Sequence, residues 1–233
     1  MEHPAIEARS LSRSYGRVKA ISNLGLTIAP GEKVVLIGPN GSGKTTLIKL
    51  LSTLIRPTSG TLKLFGKDTA SHGAQLRRRV GVLLHEPLLY NRLTALENLQ
   101  FYSKMFNVPN EDRRIWELAE EMEIGDLLRT RVDSLSHGQR KRVSILRALL
   151  HDPSILLLDE PDAGLDQTAV QGLVKLVSRN GRTVVMSTHN LESGLSMAQR
   201  VIVLKKGKVI MDVDREVLDR ADLDLGYEAL VTG

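Results

Sequence analysis

A glycine-rich segment near the start of the chain has the residue types of a phosphate-binding loop. This segment, the phosphate loop, reads Gly38-Pro39-Asn40-Gly41-Ser42-Gly43-Lys44-Thr45 and fits the pattern G-x-x-x-x-G-K-[ST]. Its glycines allow positive φ angles and let consecutive backbone N–H groups surround an anion, and a following helix adds the positive end of its dipole. Lys44 would place its charge on the β- and γ-phosphates of a nucleotide, and Thr45 would offer its hydroxyl to Mg²⁺. The predicted nucleotide contacts are Gly38, Asn40, Gly41, Ser42, Gly43, Lys44, Thr45 and Thr46.

Two carboxylates follow an apolar run later in the chain. Residues 155–158 read Ile-Leu-Leu-Leu and lead directly into Asp159 and Glu160. Carboxylates at the end of a buried strand are unfavourable unless they act on a cation or a proton. We expect Asp159 to hold Mg²⁺ and Glu160 to polarise the attacking water as a general base, a role worth ~10²–10⁴ in rate. The alternatives are a glycine-rich turn that binds nothing for the first motif and a helix N-cap pair for the second.

Hydrophobic patterning predicts the elements that position these residues. Residues 33–37, 155–158 and 183–186 are apolar without alternation, as in parallel strands covered on both faces. Helical patterns separate these strands, which predicts an α/β fold with a parallel sheet. Further strands are expected at residues 5–8, 24–28, 61–65, 201–204 and 209–212, and helices at 46–54, 94–105, 112–122 and 136–150.

The middle of the chain predicts an inserted helical block. Thr94 and Glu97 form a capping box that begins the first of its helices. We therefore expect a single domain with internal subdivisions. They are a core with an antiparallel β subdomain at about 1–84 and 151–215, a helical subdomain at about 85–150 and a tail at 216–233.

Composition excludes several classes of protein. The chain has 233 residues with 32 basic and 27 acidic side chains, a net charge of +5. Cysteine is absent, which removes disulfides, thiolate metal sites and thiol catalysis. Neither an apolar run of ~18 residues nor the basic-then-apolar order of a signal peptide is found. We therefore expect a soluble protein, or one held to a membrane by other chains.

A third motif makes a resemblance specific. The segment 135–142, here called the signature segment, reads Leu135-Ser136-His137-Gly138-Gln139-Arg140-Lys141-Arg142. Together with the phosphate loop and the two carboxylates, it resembles the ATP-binding cassette (ABC) family, whose signature is normally Leu-Ser-Gly-Gly-Gln. The resemblance implies a P-loop (RecA-like) nucleotide-binding core, an antiparallel β subdomain and an inserted α-helical subdomain. It also implies that Tyr15 stacks on adenine, that Asp166, in the family's D-loop, faces the nucleotide and that His189 is the family's switch histidine.

The resemblance implies a mechanism as well. Two subunits, identical or related, would pack head to tail, with ATP and Mg²⁺ between one phosphate loop and the other subunit's Ser136, Gly138 and Gln139. His189 would contact the γ-phosphate and hold Glu160 and the water in line. The partner would be an integral-membrane transporter subunit, which places this chain peripherally at the cytoplasmic face of the cell membrane. No nucleic-acid partner is expected.

The chain departs from the family pattern at two places. Where the family has a glutamine linking Mg²⁺ to the helical subdomain, this chain has His85 followed by Glu86, and either could be a metal ligand. Histidine titrates near neutrality and glutamate adds negative charge, so the coupling or its pH dependence is expected to differ. The second departure is His137, which replaces the first signature glycine. Slower hydrolysis than in the usual family pattern is expected from this replacement.

The stretch 83–102 is similar to the ATPase subunit of haem exporters of cytochrome c biogenesis, and much of it is shared by drug and polysaccharide exporter ATPases. Its apolar side chains predict either a groove for a membrane partner's helix or part of the helical core; they are Leu88, Leu89, Tyr90 and Leu93.

Two competing functions remain open. One is a nucleotide-gated scaffold with slow turnover, and the other is a nucleic-acid or ribosome-associated ABC ATPase, which the basic runs 77–79 and 140–142 alone favour.

Overall fold

Two sheets with different pairing organise the protein. The computed structural model describes residues 3–179, 181–188 and 191–217, without the side chains of 191–193. Its strands are β1 (Ile6–Tyr15), β2 (Val18–Ile28), β3 (Lys33–Ile37), β4 (Ser59–Leu64), β5 (Lys67–Asp68), β6 (Val80–Leu83), β7 (Ile155–Asp159), β8 (Thr183–Ser187), β9 (Arg200–Lys205) and β10 (Lys208–Asp214). Its helices are α1 (Lys44–Leu51), α2 (Thr69–Arg77), α3 (Ala95–Phe106), α4 (Glu111–Glu121), α5 (His137–Leu149), α6 (Gln167–Ser178) and α7 (Leu191–Met197). Short 3₁₀ turns lie at Gly125–Leu127, Val132–Ser134 and Arg215–Val217.

A six-stranded sheet of order β10-β9-β3-β8-β7-β6 forms the core of the described residues. The strands from β9 to β6 pair in parallel, and β10 joins the edge antiparallel to β9. The predicted parallel α/β fold is confirmed. Because the carboxyl ends of parallel strands meet at one edge, the loops after β3, β7 and β8 gather there.

The sheet is covered on both faces, as its apolar strands predict. Val34 and Leu36 of β3 pack into one hydrophobic cluster, together with the antiparallel sheet and α1. Val35 and Ile37 pack into the other cluster, which contains residues of α3, α4, α5 and α6. This alternation follows from the two-residue period of a strand and explains why both sets must be apolar.

The second sheet is antiparallel, with the order β2-β1-β4-β5. A strand was expected at residues 5–8, but β1 runs to Tyr15 with register shifts after Ala8 and Leu11. Ser10 has φ 49° within it. The expectation was too short because polar side chains and an irregular register hide the period-two pattern of the second half.

Helix ends follow local capping chemistry. Glu97 N–H donates to Thr94 Oγ1 (3.1 Å), and Thr94 N–H donates to Glu97 Oε2 (2.8 Å), so the predicted capping box begins α3. The helix expected to reach residue 54 ends at Leu51, because Thr53 adopts φ 61°. Sequence patterning did not identify α2, β6, α6 or α7. Within the described residues no helix is long and apolar enough to cross a membrane.

Candidate nucleotide-binding site

The phosphate loop connects β3 to α1, and its glycines are required by close approaches. A Cβ at Gly38 would lie 2.2 Å from Leu204 O, and one at Gly43 would lie 2.6 Å from Ala20 O. Gly43 is the N-cap of α1 with φ 111°, and no side chain caps this helix. The first-turn N–H groups of α1 are therefore available to an anion, as the motif predicts.

Two side chains of the loop suit a phosphate. Lys44 is 6% exposed, and its Nζ donates to Gly38 O (2.6 Å) and Pro39 O (3.3 Å). Burial lowers the pKa of Lys44, and the charges of Glu160 and Asp159 oppose that shift. Ser42 is 2% exposed, and its Oγ has no hydrogen-bond partner in the part of the chain that the structure describes. A buried hydroxyl and a buried ammonium at a helix N-terminus fit the oxygens of a nucleotide's phosphates.

Oxygen ligands for a divalent cation meet at the ends of β7 and α1. Thr45 Oγ1 donates to Asp159 Oδ1 (3.1 Å), and Ser187 Oγ donates to the same oxygen (2.7 Å). Asp159 lies opposite Ser187 in the parallel pairing of β7 and β8 and is 2% exposed. A hydroxyl beside a carboxylate is the donor set that Mg²⁺ prefers, so these residues fit the cation. Ser187 was not predicted, although it ends one of the apolar runs.

Glu160 occupies an unusual backbone conformation at the exit of β7. Its φ is +50°, a left-handed conformation that costs a non-glycine residue roughly 1–3 kcal/mol. Hydrogen bonds hold its peptide groups on both sides. Glu160 N–H donates to Ser187 O (3.1 Å) and Ser187 Oγ (3.0 Å), and Glu160 O accepts from Lys141 Nζ (2.8 Å) and Ala163 N–H (3.3 Å). The side chain predicted to be the general base therefore extends from a fixed backbone.

Lys141 is a buried cation that sequence reasoning did not single out. It belongs to α5 and is 6% exposed. Burial lowers its pKa, and the carboxylates of Asp159, Glu160 and Asp162 oppose this shift. The charges of Asp159 and Glu160, at the end of β7, thus act on two buried ammonium groups, those of Lys44 and Lys141.

The signature segment begins α5 with a capping box. Gln139 N–H donates to Ser136 Oγ (3.2 Å), and Ser136 N–H donates to Gln139 Oε1 (2.9 Å). A Cβ at Gly138 would lie 2.8 Å from Gly164 O, so this helix start packs tightly against the segment 163–166. His137 is exposed, and its Nδ1 would lie 3.0 Å from a Cβ at Gly164.

Asp166, predicted to face the nucleotide, has two contacts within its own chain. It caps α6 by accepting from Ala169 N–H (2.9 Å), and this bond is the main reason why its pKa is lowered. It also pairs with Arg142 of the signature segment. The segment 163–166 is thus joined to α5 at two points within one subunit.

The remaining predicted residues are placed as follows. Tyr15 is 47% exposed, and the guanidinium carbon of Arg13 lies 4.6 Å from its ring centre. His85 and Glu86 are exposed after β6, and no hydrogen bond joins either of them to Thr45 or Asp159. In the described ranges no group of three histidines and acidic residues could hold a metal ion. His189 lies outside the described residues.

A parallel sheet with a phosphate loop after β3 and a carboxylate pair after β7 defines a P-loop nucleotide-binding protein. The family model described as "ABC transporter" matches residues 21–163, which is more than half of the chain. The chain therefore belongs to the ABC transporter family, as an ATP-binding subunit. It binds ATP with Mg²⁺ and is an ATPase, which confirms the predicted cofactors and activity.

Curated relatives support the assignment. The chain is 37% identical over 199 residues to the ABC transporter ATP-binding protein NatA of Bacillus subtilis, covering 83% of this chain and 81% of NatA. It is 36% identical over 242 residues to the phosphonates import ATP-binding protein PhnC of Anaeromyxobacter dehalogenans, covering 97% of this chain and 49% of PhnC. It is 35% identical to the spermidine/putrescine import ATP-binding protein PotA of Haemophilus influenzae, covering 90% of this chain and 58% of PotA. The chain thus spans about half the length of the two import proteins.

Solved structures share the fold. The dimeric post-hydrolysis state of the ATP-binding cassette MJ0796 with ADP and Pi aligns with a TM-score of 0.81 and 29% identity over 90% of this chain and 98% of that one. The cbiO1 subunit of Clostridium perfringens, part of the ABC transporter complex cbiONQ, aligns with a TM-score of 0.80 and 26% identity. That alignment covers 98% of this chain and 96% of cbiO1.

Proposed function

We propose that this chain is the ATP-hydrolysing engine of a transporter whose membrane-spanning part is a separate protein. Two cassette subunits close on two ATP molecules at the cytoplasmic face of the membrane, and hydrolysis opens them. The observation that carries the proposal is the meeting of Thr45, Asp159 and Ser187 beside the phosphate loop. This cluster supplies the Mg²⁺ ligands that triphosphate hydrolysis needs, and the neighbouring Lys44 and the N–H groups that begin α1 supply the phosphate ligands.

In this site the chain's own residues perform distinct tasks. Lys44 and the N–H groups that begin α1 bind the phosphate oxygens, and Thr45 and Asp159 hold Mg²⁺, which neutralises developing charge on those oxygens. Glu160 accepts a proton from the attacking water, whose oxygen forms a bond to the γ-phosphorus. The bond from that phosphorus to the β–γ bridging oxygen breaks, and ADP leaves with the electron pair. His189 is proposed to hold the water and Glu160 in line.

A second subunit is proposed to complete each site. Ser136 is exposed at the start of α5, where its hydroxyl and the N–H groups of His137 and Gly138, which the capping box does not engage, suit a γ-phosphate presented by another chain. The MJ0796 cassette, similar to this chain, is described as dimeric with ADP and Pi. Since the fold is shared, a dimer is expected of two copies of this chain or of this chain with a relative, and the head-to-tail arrangement is the one that the family resemblance implies.

The proposed membrane-partner surface lies on the helical block. Tyr90, Phe101 and Met105 are 51%, 44% and 50% exposed, and the rings of Tyr90 and Phe101 meet edge to face at 5.2 Å. Such clustered exposed apolar side chains are typical of an interaction site. Leu88 and Leu89, predicted as groove residues or core, are half-buried and pack against the hydrophobic clusters. Tyr90 rather than these leucines is therefore proposed to face the partner.

The cargo is proposed from the sequence of residues 83–102. Their similarity to haem-exporter ATPases supports an exporter of cytochrome c biogenesis. PhnC and PotA, by contrast, are named as import proteins, so an importer is the competing assignment. Purifying the tagged chain from membranes and identifying the integral protein that accompanies it distinguishes the two. The companion is expected to be lost on replacing Tyr90 and Phe101 by serine and kept on replacing exposed Lys175.

The ATPase engine is tested by Glu160→Gln. Because the amide cannot accept the proton, the rate of phosphate release is expected to fall by at least about 100-fold while ATP still binds. Size-exclusion chromatography with Mg-ATP is expected to show a dimer for this variant. Equal rates for the native chain and the variant would instead favour the nucleotide-gated scaffold.

The two basic runs give the nucleic-acid alternative little support. In the run 140–142 Lys141 is buried and Arg142 pairs with Asp166. The run 77–79 is exposed but short, and Arg79 covers the ring of Phe65 at 3.5 Å. Salt-sensitive binding to DNA or RNA would contradict this reading.

A further inference from the structure

We propose that Lys141 is a positioning residue for Glu160, holding its peptide group and offsetting the carboxylates that follow β7. This inference rests on the proposed role of Glu160 as the general base. It assigns a task to a signature-segment side chain that lies inside its own subunit rather than at the exposed start of α5.

The first argument is geometric. Lys141 Nζ donates to Glu160 O (2.8 Å), whereas the N–H of Glu160 donates to Ser187 at the end of β8. The residue is therefore fixed from α5 on one side and from the sheet on the other. Because Glu160 has a left-handed φ of +50°, its backbone persists only where surrounding contacts determine it. Glu160 O also accepts a longer bond from Ala163 N–H (3.3 Å), so Lys141 supplies the shorter of these two bonds to the carbonyl. Removing the bond from α5 loosens the carbonyl side and lets the side chain change direction.

The second argument is electrostatic. Asp159, Glu160 and Asp162 lie within four consecutive residues, and Asp159 is 2% exposed. A buried lysine is unfavourable unless paired, yet Lys141 is 6% exposed and lies in the field of these three carboxylates. Lys44 supplies the other buried ammonium, but its place is at the phosphates. Of these two buried ammonium groups, Lys141 is therefore the one whose charge offsets the carboxylates of Asp159, Glu160 and Asp162.

Three substitutions at one position separate the bond from the charge. Lys141→Met removes both, Lys141→Gln keeps a donor without the charge, and Lys141→Arg keeps both. Lys175→Gln, on the exposed face of α6, is the matched control for loss of one positive charge. Each purified full-length chain is assayed for phosphate release across ATP concentrations, for affinity of a fluorescent ATP analogue, and for its thermal unfolding temperature without nucleotide.

A positioning role predicts a split between turnover and binding. Lys141→Met is expected to lower kcat about tenfold, and Lys141→Gln, which keeps a donor but not the charge, about threefold. KM and analogue affinity are expected to stay within about twofold for both, since the phosphate loop is untouched. Lys141→Arg is expected to recover at least half of the native kcat, and Lys175→Gln to match the native chain. A folded Lys141→Met chain with native kcat would overturn the proposal, and native kcat for Lys141→Gln would overturn its charge component. If the methionine variant does not fold, the glutamine and arginine variants decide.

Glu160→Gln, measured beside these variants, separates the two proposals. If that substitution leaves the rate unchanged, the proposed role of Glu160 fails, and the role of Lys141 fails with it. If it lowers the rate at least about 100-fold while Lys141→Met does not, the proposed function stands and only the inference about Lys141 is wrong. A parallel loss of kcat and nucleotide affinity in Lys141→Met would indicate general damage to the site and would also count against positioning.

Discussion

The N-termini of α1 and α5 are both suited to phosphate, but they are built differently. At α1 the N-cap is Gly43, no side chain occupies the cap, and the buried Lys44 and Ser42 stand beside the free N–H groups. At α5 the helix caps itself through Ser136 and Gln139, and Ser136 is exposed. The start of α1 is thus arranged by its own chain to enclose an anion. The start of α5 is already capped and exposes the Ser136 side chain to solvent.

Because of this difference, nucleotide affinity and ATP turnover can be changed separately in one chain. Contacts at α1 are complete within a subunit, so damage there removes nucleotide affinity directly. Contacts at α5 are proposed to act on a ligand held by a second subunit, so damage there is expected to leave the affinity of the isolated subunit and to lower turnover. The following predictions test that separation.

Replacing Lys44 by alanine is expected to give the largest effect. The ammonium is the one side-chain charge of the phosphate loop, and charge-assisted bonds to phosphate are strong. The affinity of monomeric chain for a fluorescent ATP analogue is expected to fall about 100-fold, which corresponds to about 2.7 kcal/mol. Lys175→Ala is the control, and unchanged affinity of Lys44→Ala would remove the distinction between the two helix ends.

Gly138→Ala is expected to lower ATPase activity about tenfold without changing analogue affinity. The added Cβ would lie 2.8 Å from Gly164 O, so the start of α5 or the segment 163–166 must shift. Gly125→Ala is the matched control, because its Cβ would lie at an ordinary 3.6 Å from the Trp116 ring. A fall in monomer affinity comparable to the fall in rate would contradict the separation.

Ser136→Ala is expected to act on two measurable quantities. Loss of the cap should reduce the free energy of unfolding by about 1 kcal/mol, measured by urea denaturation. The rate of phosphate release should fall a few-fold while analogue affinity is unchanged, since the lost hydroxyl is proposed to act on another subunit's nucleotide. A variant with reduced stability and a native rate would show that Ser136 only caps α5.

His137→Gly is expected to have the smallest effect, with ATPase activity kept or raised by up to about twofold. His137 is exposed, and its ring packs beside Gly164. Glycine is less favourable in a helix, so a small loss of thermal stability is also expected. A strong loss of activity would show that the imidazole does more than replace the usual glycine.

Sequence patterns predicted the structural features that depend on residues close together in the chain. The phosphate loop, the apolar strands β3, β7 and β8, and the capping box of Thr94 and Glu97 depend on neighbours a few residues apart, and the structure shows the strands and this box in place. The role of Ser187 and Lys141 was missed because their partners lie far along the chain. Ser187 meets Asp159 28 residues away, and Lys141 meets Glu160 19 residues away. Only strand pairing and helix packing bring such residues together.

The bond from Lys141 to Glu160 has a consequence for mixed assemblies. Since α5 would present Ser136 to the neighbouring subunit but Lys141 to its own carboxylates, substitutions at these two positions should slow hydrolysis at opposite sites of a pair. A pair with one Lys141→Met copy should hydrolyse more slowly the nucleotide held by that copy's own phosphate loop. A pair with a single Ser136→Ala copy should hydrolyse more slowly the nucleotide held by the other copy. Each α5 would thus influence hydrolysis at both nucleotides of the assembly, through Ser136 at one and through Lys141 at the other.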